Sequence, residues 1–172
     1  MKKLGRNLNI KNNQSAYTVA VAIALLLASV LLVTYYVALR PEPERYMTIY
    51  LLDTQKKAAD YPEYLVAGVN STFSVYVDVQ NNNGTTVNFQ VQVKVTSNMN
   101  PTFPVNVNPT QTFNGTLLDG ATSENVATTS LDQPGNYSVI YELWIVDSTG
   151  VPQFTGNQCV LNIQVASQNA VS

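Results

Sequence analysis

The 172-residue chain has no histidine, a single cysteine and few charges, with nine lysines and arginines and 11 acids making up 12% of it. Without histidine, the commonest general base and metal ligand near neutral pH is missing. Cys159 cannot close an internal disulfide, and as a nucleophile it would lack its usual base. It falls in an apolar stretch and reads as a buried structural thiol, with a disulfide to a second subunit the other role open to it. No Gly-rich phosphate loop, Gly-x-Ser-x-Gly elbow or cysteine ladder occurs. Asp53, Asp60, Glu63, Asp78, Asp119, Glu124, Asp132, Glu142 and Asp147 are scattered, mostly at turns, without the spacing of a calcium loop. Glu142 stands apart, inside a long strand pattern beside Tyr141 and Trp144. The chain is therefore read as no enzyme, with no catalytic, metal or cofactor-binding residue assigned. Residues 41–172 carry Arg45, Lys56, Lys57 and Lys94 against all 11 acids, a surplus of seven negative charges that repels nucleic acid.

What the chain does have is a long apolar run. Residues 16–39 hold no charge and are rich in Ala, Leu and Val, enough for a transmembrane helix across a hydrocarbon core of about 30 Å. Lys2, Lys3, Arg6 and Lys11 precede the run, while Arg40 is soon followed by Glu42 and Glu44. The positive-inside rule then puts the amino terminus in the cytoplasm and the carboxy-terminal part outside. Tyr17, Tyr35 and Tyr36 fall at the headgroup levels. A cleaved secretory signal has a shorter apolar region and a small-x-small site, and the end of this run is a poor cleavage context. No Lys-Gly or Arg-Gly junction abuts the run as a prepilin signal would require. The expected order is a basic cytoplasmic tail over 1–15, the membrane helix over 16–39, a Pro/Glu spacer over 40–45, a β-sandwich over 46–168 and a short tail over 169–172. The alternating prolines and charges of the spacer hold it extended.

From Tyr46 onward the apolar residues alternate, the period of half-buried strands. Phe73, Val75, Val77 and Val79 form one such set; Phe89, Val91, Val93 and Val95 form another. The intervening Asn81, Asn82, Asn83 and Gly84 predict a hairpin joining the two. Further strands are expected over 46–52, 64–67, 110–118, 125–130, 137–146 and 159–166, punctuated by Asp119-Gly120, Pro134-Gly135 and residues 147–150. Seven or eight short strands without helical period predict an all-β, immunoglobulin-like antiparallel β-sandwich on a single N-terminal transmembrane helix. Pro134-Gly135-Asn136-Tyr137 resembles the Gly-x-Tyr opening of a late strand in such domains, where the hydroxyl bonds a nearby turn. Trp144 lies late in its strand and the usual cysteine pair is missing, which excludes the antibody-type subclass.

Several of these segments also carry a resemblance. Ile49-Tyr50-Leu51-Leu52, Ala59-Asp60-Tyr61-Pro62 and Leu65-Val66-Ala67-Gly68-Val69-Asn70 are followed by Asn82-Asn83-Gly84 and the restart at Val87-Asn88-Phe89. Together, over residues 46–165, they resemble the exterior domain of an archaeal membrane-protein family, domain of unknown function 1616. The resemblance implies an archaeal, membrane-associated, immunoglobulin-like domain and no activity.

Four exterior sequons, Asn70-Ser-Thr, Asn83-Gly-Thr, Asn114-Gly-Thr and Asn136-Tyr-Ser, are candidate N-glycosylation sites, expected at turns. Asn13-Gln-Ser falls on the cytoplasmic side, and Asn100 and Asn108 precede proline. An exterior rich in Asn, Gln, Ser and Thr keeps a surface soluble where acid removes carboxylate charge, pointing to an acidophilic archaeal host. On the helix, Ala16, Ala20, Ala24 and Ala28 recur every four residues and would let another helix approach closely. The expected partners are membrane lipid, an integral-membrane protein or a second copy, and N-glycans. Three roles fit: an accessory or structural subunit of a larger membrane or envelope assembly, a filament subunit joined by strand addition, or a sugar-binding domain stacking ligands on Tyr141 or Trp144.

Overall fold

The computed structural model of the chain describes residues 10–38 and 44–168. Lys2, Lys3, Arg6, Leu39, Arg40, the spacer residues 41–43 and the tail 169–172 lie outside the described residues. The chain divides into two compact units, Met1–Pro43 and Glu44–Ser172.

In the first unit, helix α1 spans Ile10–Ala38, beginning six residues before the apolar run because no proline or glycine stops it there. Its Ser15–Ala38 stretch, 24 residues, is long and apolar enough to cross a membrane. Hydroxyls inside the run are satisfied by the helix itself: Ser29 Oγ donates to Leu26 O at 2.8 Å and Thr34 Oγ1 to Val30 O at 2.7 Å.

The second unit is a β-sandwich of eight strands: β1 Tyr46–Leu52, β2 Tyr64–Val66, β3 Thr72–Asn82, β4 Val87–Thr96, β5 Gln111–Leu117, β6 Thr122–Ser130, β7 Gly135–Val146 and β8 Pro152–Ala166. One sheet has the order β1-β3-β6 and the other β2-β8-β7-β4-β5. All neighbours are antiparallel except β2, whose three residues pair parallel to the end of β8. The alternation read from sequence is what closes the core. Ile49, Val75, Val77 and Val79 on one sheet face Phe89, Val91, Val93, Val139, Tyr141, Leu143 and Ile163 on the other, all buried. Each such apolar side chain stabilises the fold by about 1.5–3 kcal/mol relative to exposure.

The expected hairpin across Asn81 to Gly84 is not formed. β3 and β4 belong to different sheets, and the segment between them is a corner. Asn81 lies at the end of β3, fully buried, with Nδ2 donating to Thr85 O at 2.8 Å and to Leu117 O at 2.9 Å. Its backbone is engaged by the turn after β5, with Asn81 N donating to Ala121 O and Gly120 N to Asn81 O. Gly84 takes φ +74° and its N–H reaches Asp119 Oδ1 at 2.8 Å. A side chain that ties three segments together at a sandwich corner cannot also be the tip of a two-stranded ribbon.

The tyrosine motif behaves as its sequence implies. Tyr137 Oη donates to Gln133 O, four residues upstream, at 3.2 Å and fastens the turn that precedes β7.

Candidate functional site

The outward face of the five-stranded sheet concentrates the domain's unusual chemistry. Pairing places Gln92 of β4 opposite Glu142 of β7 and Glu142 opposite Gln158 of β8. One step along, Asn114, Gln90, Trp144 and Phe154 form a row across β5, β4, β7 and β8. One part of this face is covered and the other is open.

The covered part lies beneath the long connection between β4 and β5, residues 97–110. Lys94 Nζ and Glu142 Oε2 form an ion pair at 2.8 Å, with side chains 5% and 0% exposed. Both partners also hold the connection. Lys94 Nζ donates to Val105 O at 2.8 Å, and Val105 N–H donates to Glu142 Oε1 at 2.6 Å. Val105 is itself buried, and Ser138 and Ile140 beneath the connection have no exposed surface. Opposite charges buried together, with their remaining valences met by one backbone residue, form a satisfied network. Glu142, singled out by sequence, is thus a structural anchor. Nothing in the alternation of β4 distinguishes Lys94 from a residue on a solvated strand face. The available signal was charge: it is the sole charge in β4 as Glu142 is in β7, and the two are of opposite sign.

The open part is made of amides and rings. Gln90 Nε2 donates to Asn114 Oδ1 at 2.9 Å, Gln92 Nε2 to Gln90 Oε1 at 2.6 Å, and Thr116 Oγ1 to Asn88 Oδ1 at 2.7 Å. Trp144 and Phe154 pack with ring centroids 5.4 Å apart, tilted by 51°, and Lys94 Nζ stands 5.3 Å from the Trp144 ring centre. Trp144 is partly exposed on this outer face, whereas Tyr141 is fully buried in the core and cannot stack on a ligand. Burial pushes the Tyr141 hydroxyl's pKa well above its ordinary range. Trp144 Nε1 and Gln158 Oε1 are sealed from solvent and, among the described residues, have no hydrogen-bond partner. A hollow of about 350 Å³ opens beside Asn88, Asn114, Gly115, Thr116 and Val146.

The four sequon asparagines are spread over the sandwich. Asn70 is exposed at the turn after β2, and Asn83 is half-buried at the β3–β4 corner. Asn114 and Asn136 are exposed but lie in β5 and at the start of β7, not at turns as expected. Edge position explains Asn114, since β5 ends its sheet and alternation carries this side chain outward. Ala16, Ala20, Ala24 and Ala28 are exposed along α1.

A second polar cluster sits on the outer face of the three-stranded sheet. Tyr50, Asp78 and Glu124 lie opposite one another across β1, β3 and β6, and Lys56 Nζ bridges to Glu124 Oε1 at 2.9 Å. Burial raises the pKa of the Asp78 carboxyl, opposed by a hydrogen bond from Tyr50 and reinforced by Glu124, and among the described residues its Oδ1 has no hydrogen-bond partner. The sheet edges differ. On β1 the outward carbonyls are capped by side chains, Met47 O by Asn157 Nδ2 at 2.8 Å, Ile49 O by Cys159 Sγ at 3.5 Å and Leu51 O by Tyr61 Oη at 2.6 Å. Cys159 is partly buried there, and burial pushes its thiol up to about 11. On the β6 edge, among the described residues, Gln111 Nε2 caps Thr128 O at 2.6 Å.

Residues 40–156 match the model of the domain of unknown function 1616. The chain belongs to this family. Its matched stretch holds Lys94, Asn114, Glu142, Trp144 and Phe154, whereas Gln158 and Cys159 fall beyond it. No curated protein matches the chain. Among solved structures, this family member is similar to a CARDB domain from Pyrococcus furiosus, crystallised in complex with di-metal ions. The two share 14% identity at a TM-score of 0.49, over 72% of this chain and 96% of that one. It is also similar to a chain in the complex of zinc 2-glycoprotein and prolactin inducible protein from human seminal plasma. Identity there is 10% at a TM-score of 0.47, over 74% of this chain and all of that one. A Listeria innocua β-glucosidase matches over 71% of this chain but 16% of its own length, at 11% identity and a TM-score of 0.43. Among the described residues no group of three or more Cys, Asp or Glu could hold a metal ion.

Proposed function

We propose that this chain is a non-catalytic, membrane-anchored module whose sandwich stands outside the cell as an accessory or structural subunit of a larger archaeal membrane or envelope assembly. The observation that carries this reading is the Ser15–Ala38 stretch, apolar, long enough to cross a membrane and exposed at every described side chain. Such a surface needs lipid or another helix. The basic residues Lys2, Lys3, Arg6 and Lys11 set the amino terminus in the cytoplasm. Ala16, Ala20, Ala24 and Ala28 would seat a partner helix, from an integral-membrane protein or a second copy. The absence of catalysis is supported by the use of the buried charges, since Lys94 and Glu142 are committed to each other and to Val105.

N-glycans on Asn70, Asn83, Asn114 and Asn136, with an amide- and hydroxyl-rich exterior, suit an acid environment. Filament assembly by strand addition is the second reading, favoured by the nearly uncapped β6 edge. It would yield sedimentable polymers of chains lacking the anchor.

The test is purification from native membranes with the partner identified by mass spectrometry. Ala20→Leu with Ala24→Leu should release the partner while the chain stays in the membrane. An unchanged complex contradicts the reading of the stripe.

A further inference from the structure

Asn114 stands at the end of a row that continues over Gln90 to Trp144 and Phe154. We propose that the oligosaccharide attached to Asn114 folds back along this row and packs on Trp144 and Phe154, so that the aromatic platform's ligand is the chain's own glycan. The inference rests on the reading that the exterior sequons are glycosylated, and it adds where one glycan goes.

The attachment geometry is already set. Gln90 Nε2 holds Asn114 Oδ1 at 2.9 Å, which fixes the amide plane and leaves Nδ2, the atom that carries sugar, unbonded on an exposed residue. The hollow of about 350 Å³ begins at this side chain and gives the first sugar a seat between the Asn114 and Thr116 rows. Trp144 lies two strands away, roughly 10 Å at the usual strand spacing, within reach of the next sugars. The chemistry along the way matches a neutral polyol. The row offers amide donors and acceptors for hydroxyls, then an aromatic pair for the apolar face of a pyranose ring. Lys94, whose Nζ stands 5.3 Å from the Trp144 ring centre, is paired with Glu142. None of the other three sequons stands in this row.

Trp144 is the chain's one tryptophan, so its fluorescence reports on this platform alone. The full chain is purified from its own host's membranes and its glycopeptides are sequenced by mass spectrometry. Two variants remove the sequon by different chemistry, Asn114→Gln and Thr116→Val, and Asn70→Gln serves as a control for a glycan elsewhere. The proposal expects sugar on Asn114, and in both variants a red-shifted Trp144 emission with greater quenching by acrylamide, neither change appearing in the control. Sugar on other sequons but not on Asn114 overturns the proposal. Sugar on no sequon overturns it together with the glycosylation reading on which it rests. Sugar on Asn114 with Trp144 emission unaltered in both variants overturns the docking and leaves the glycosylation reading standing.

Discussion

Replacing Lys94 by methionine tests how the domain manages its buried charges. The substitution keeps most of the side-chain volume but removes the ammonium that lies 2.8 Å from both Glu142 Oε2 and Val105 O. Glu142, fully buried, is left with the Val105 N–H as its hydrogen-bond donor. Stranding one charge of a buried pair costs about 3–5 kcal/mol. A domain of this size is stable by roughly 5–15 kcal/mol, so the loss is a large part of the whole. Melting should fall by on the order of 10–20 °C, at about 3–5 °C per kcal/mol. Lys94→Met with Glu142→Leu removes both charges and leaves only Val105's N–H and carbonyl unpaired, for about 1–3 kcal/mol each at most. The double variant should therefore be more stable than the sum of the two single losses allows. Urea unfolding of the β-sandwich, followed by Trp144 fluorescence, gives all four corners of the cycle. A Lys94→Met midpoint equal to wild type, or strictly additive losses, would refute the view that the two charges act as one anchor for residues 97–110.

Two further outcomes follow from packing and titration. Gly115→Ala places a Cβ 2.6 and 2.9 Å from the buried Phe89 ring, so overpacking of about 1–3 kcal/mol should exceed the roughly 0.4–1 kcal/mol gained in chain entropy, and the urea midpoint should fall. Asp78, with its carboxyl raised by burial, keeps its proton in the folded state to higher pH than in the unfolded chain, so its contribution is full below about pH 4 and declines as pH rises through its folded pKa. Asp132 and Asp147, lowered by hydrogen bonds from Ser71 and Ser130 and from Thr149 and Val151, act in the opposite direction, with stability present above about pH 4 and lost below it. Asp78→Asn should remove the decline on the neutral side, seen as urea midpoints measured across the acid range.

Period-two alternation made the strands legible, because inward and outward residues differ in polarity wherever one face is buried. It could not say which strands pair. Val75, Val77 and Val79 point into the core equally well from a hairpin with β4 or from the opposite sheet, and only the contacts of Asn81 decide. Alternation also assumes that the outward face is wet. Residues 97–110 break that assumption by covering Ser138, Ile140 and Glu142, so Lys94 is buried although alternation turns it to the outward face. Sequons are local triplets and were visible at once, but the placement of Asn114 in line with Trp144 depends on register across three strands. The edges were illegible for the same reason. Cys159 lies 110 residues from Ile49, whose carbonyl it caps.

In the proposed arrangement a retained membrane helix holds the sandwich outside the cell. Intact-mass analysis of the protein from washed membranes, before and after protease treatment of whole cells, tests it most directly. The mature chain should still include residues 16–38, and protease added outside should remove the sandwich. A chain that begins after residue 38 and leaves the membrane in the wash would contradict it, as would a sandwich that protease reaches only after the cells are broken.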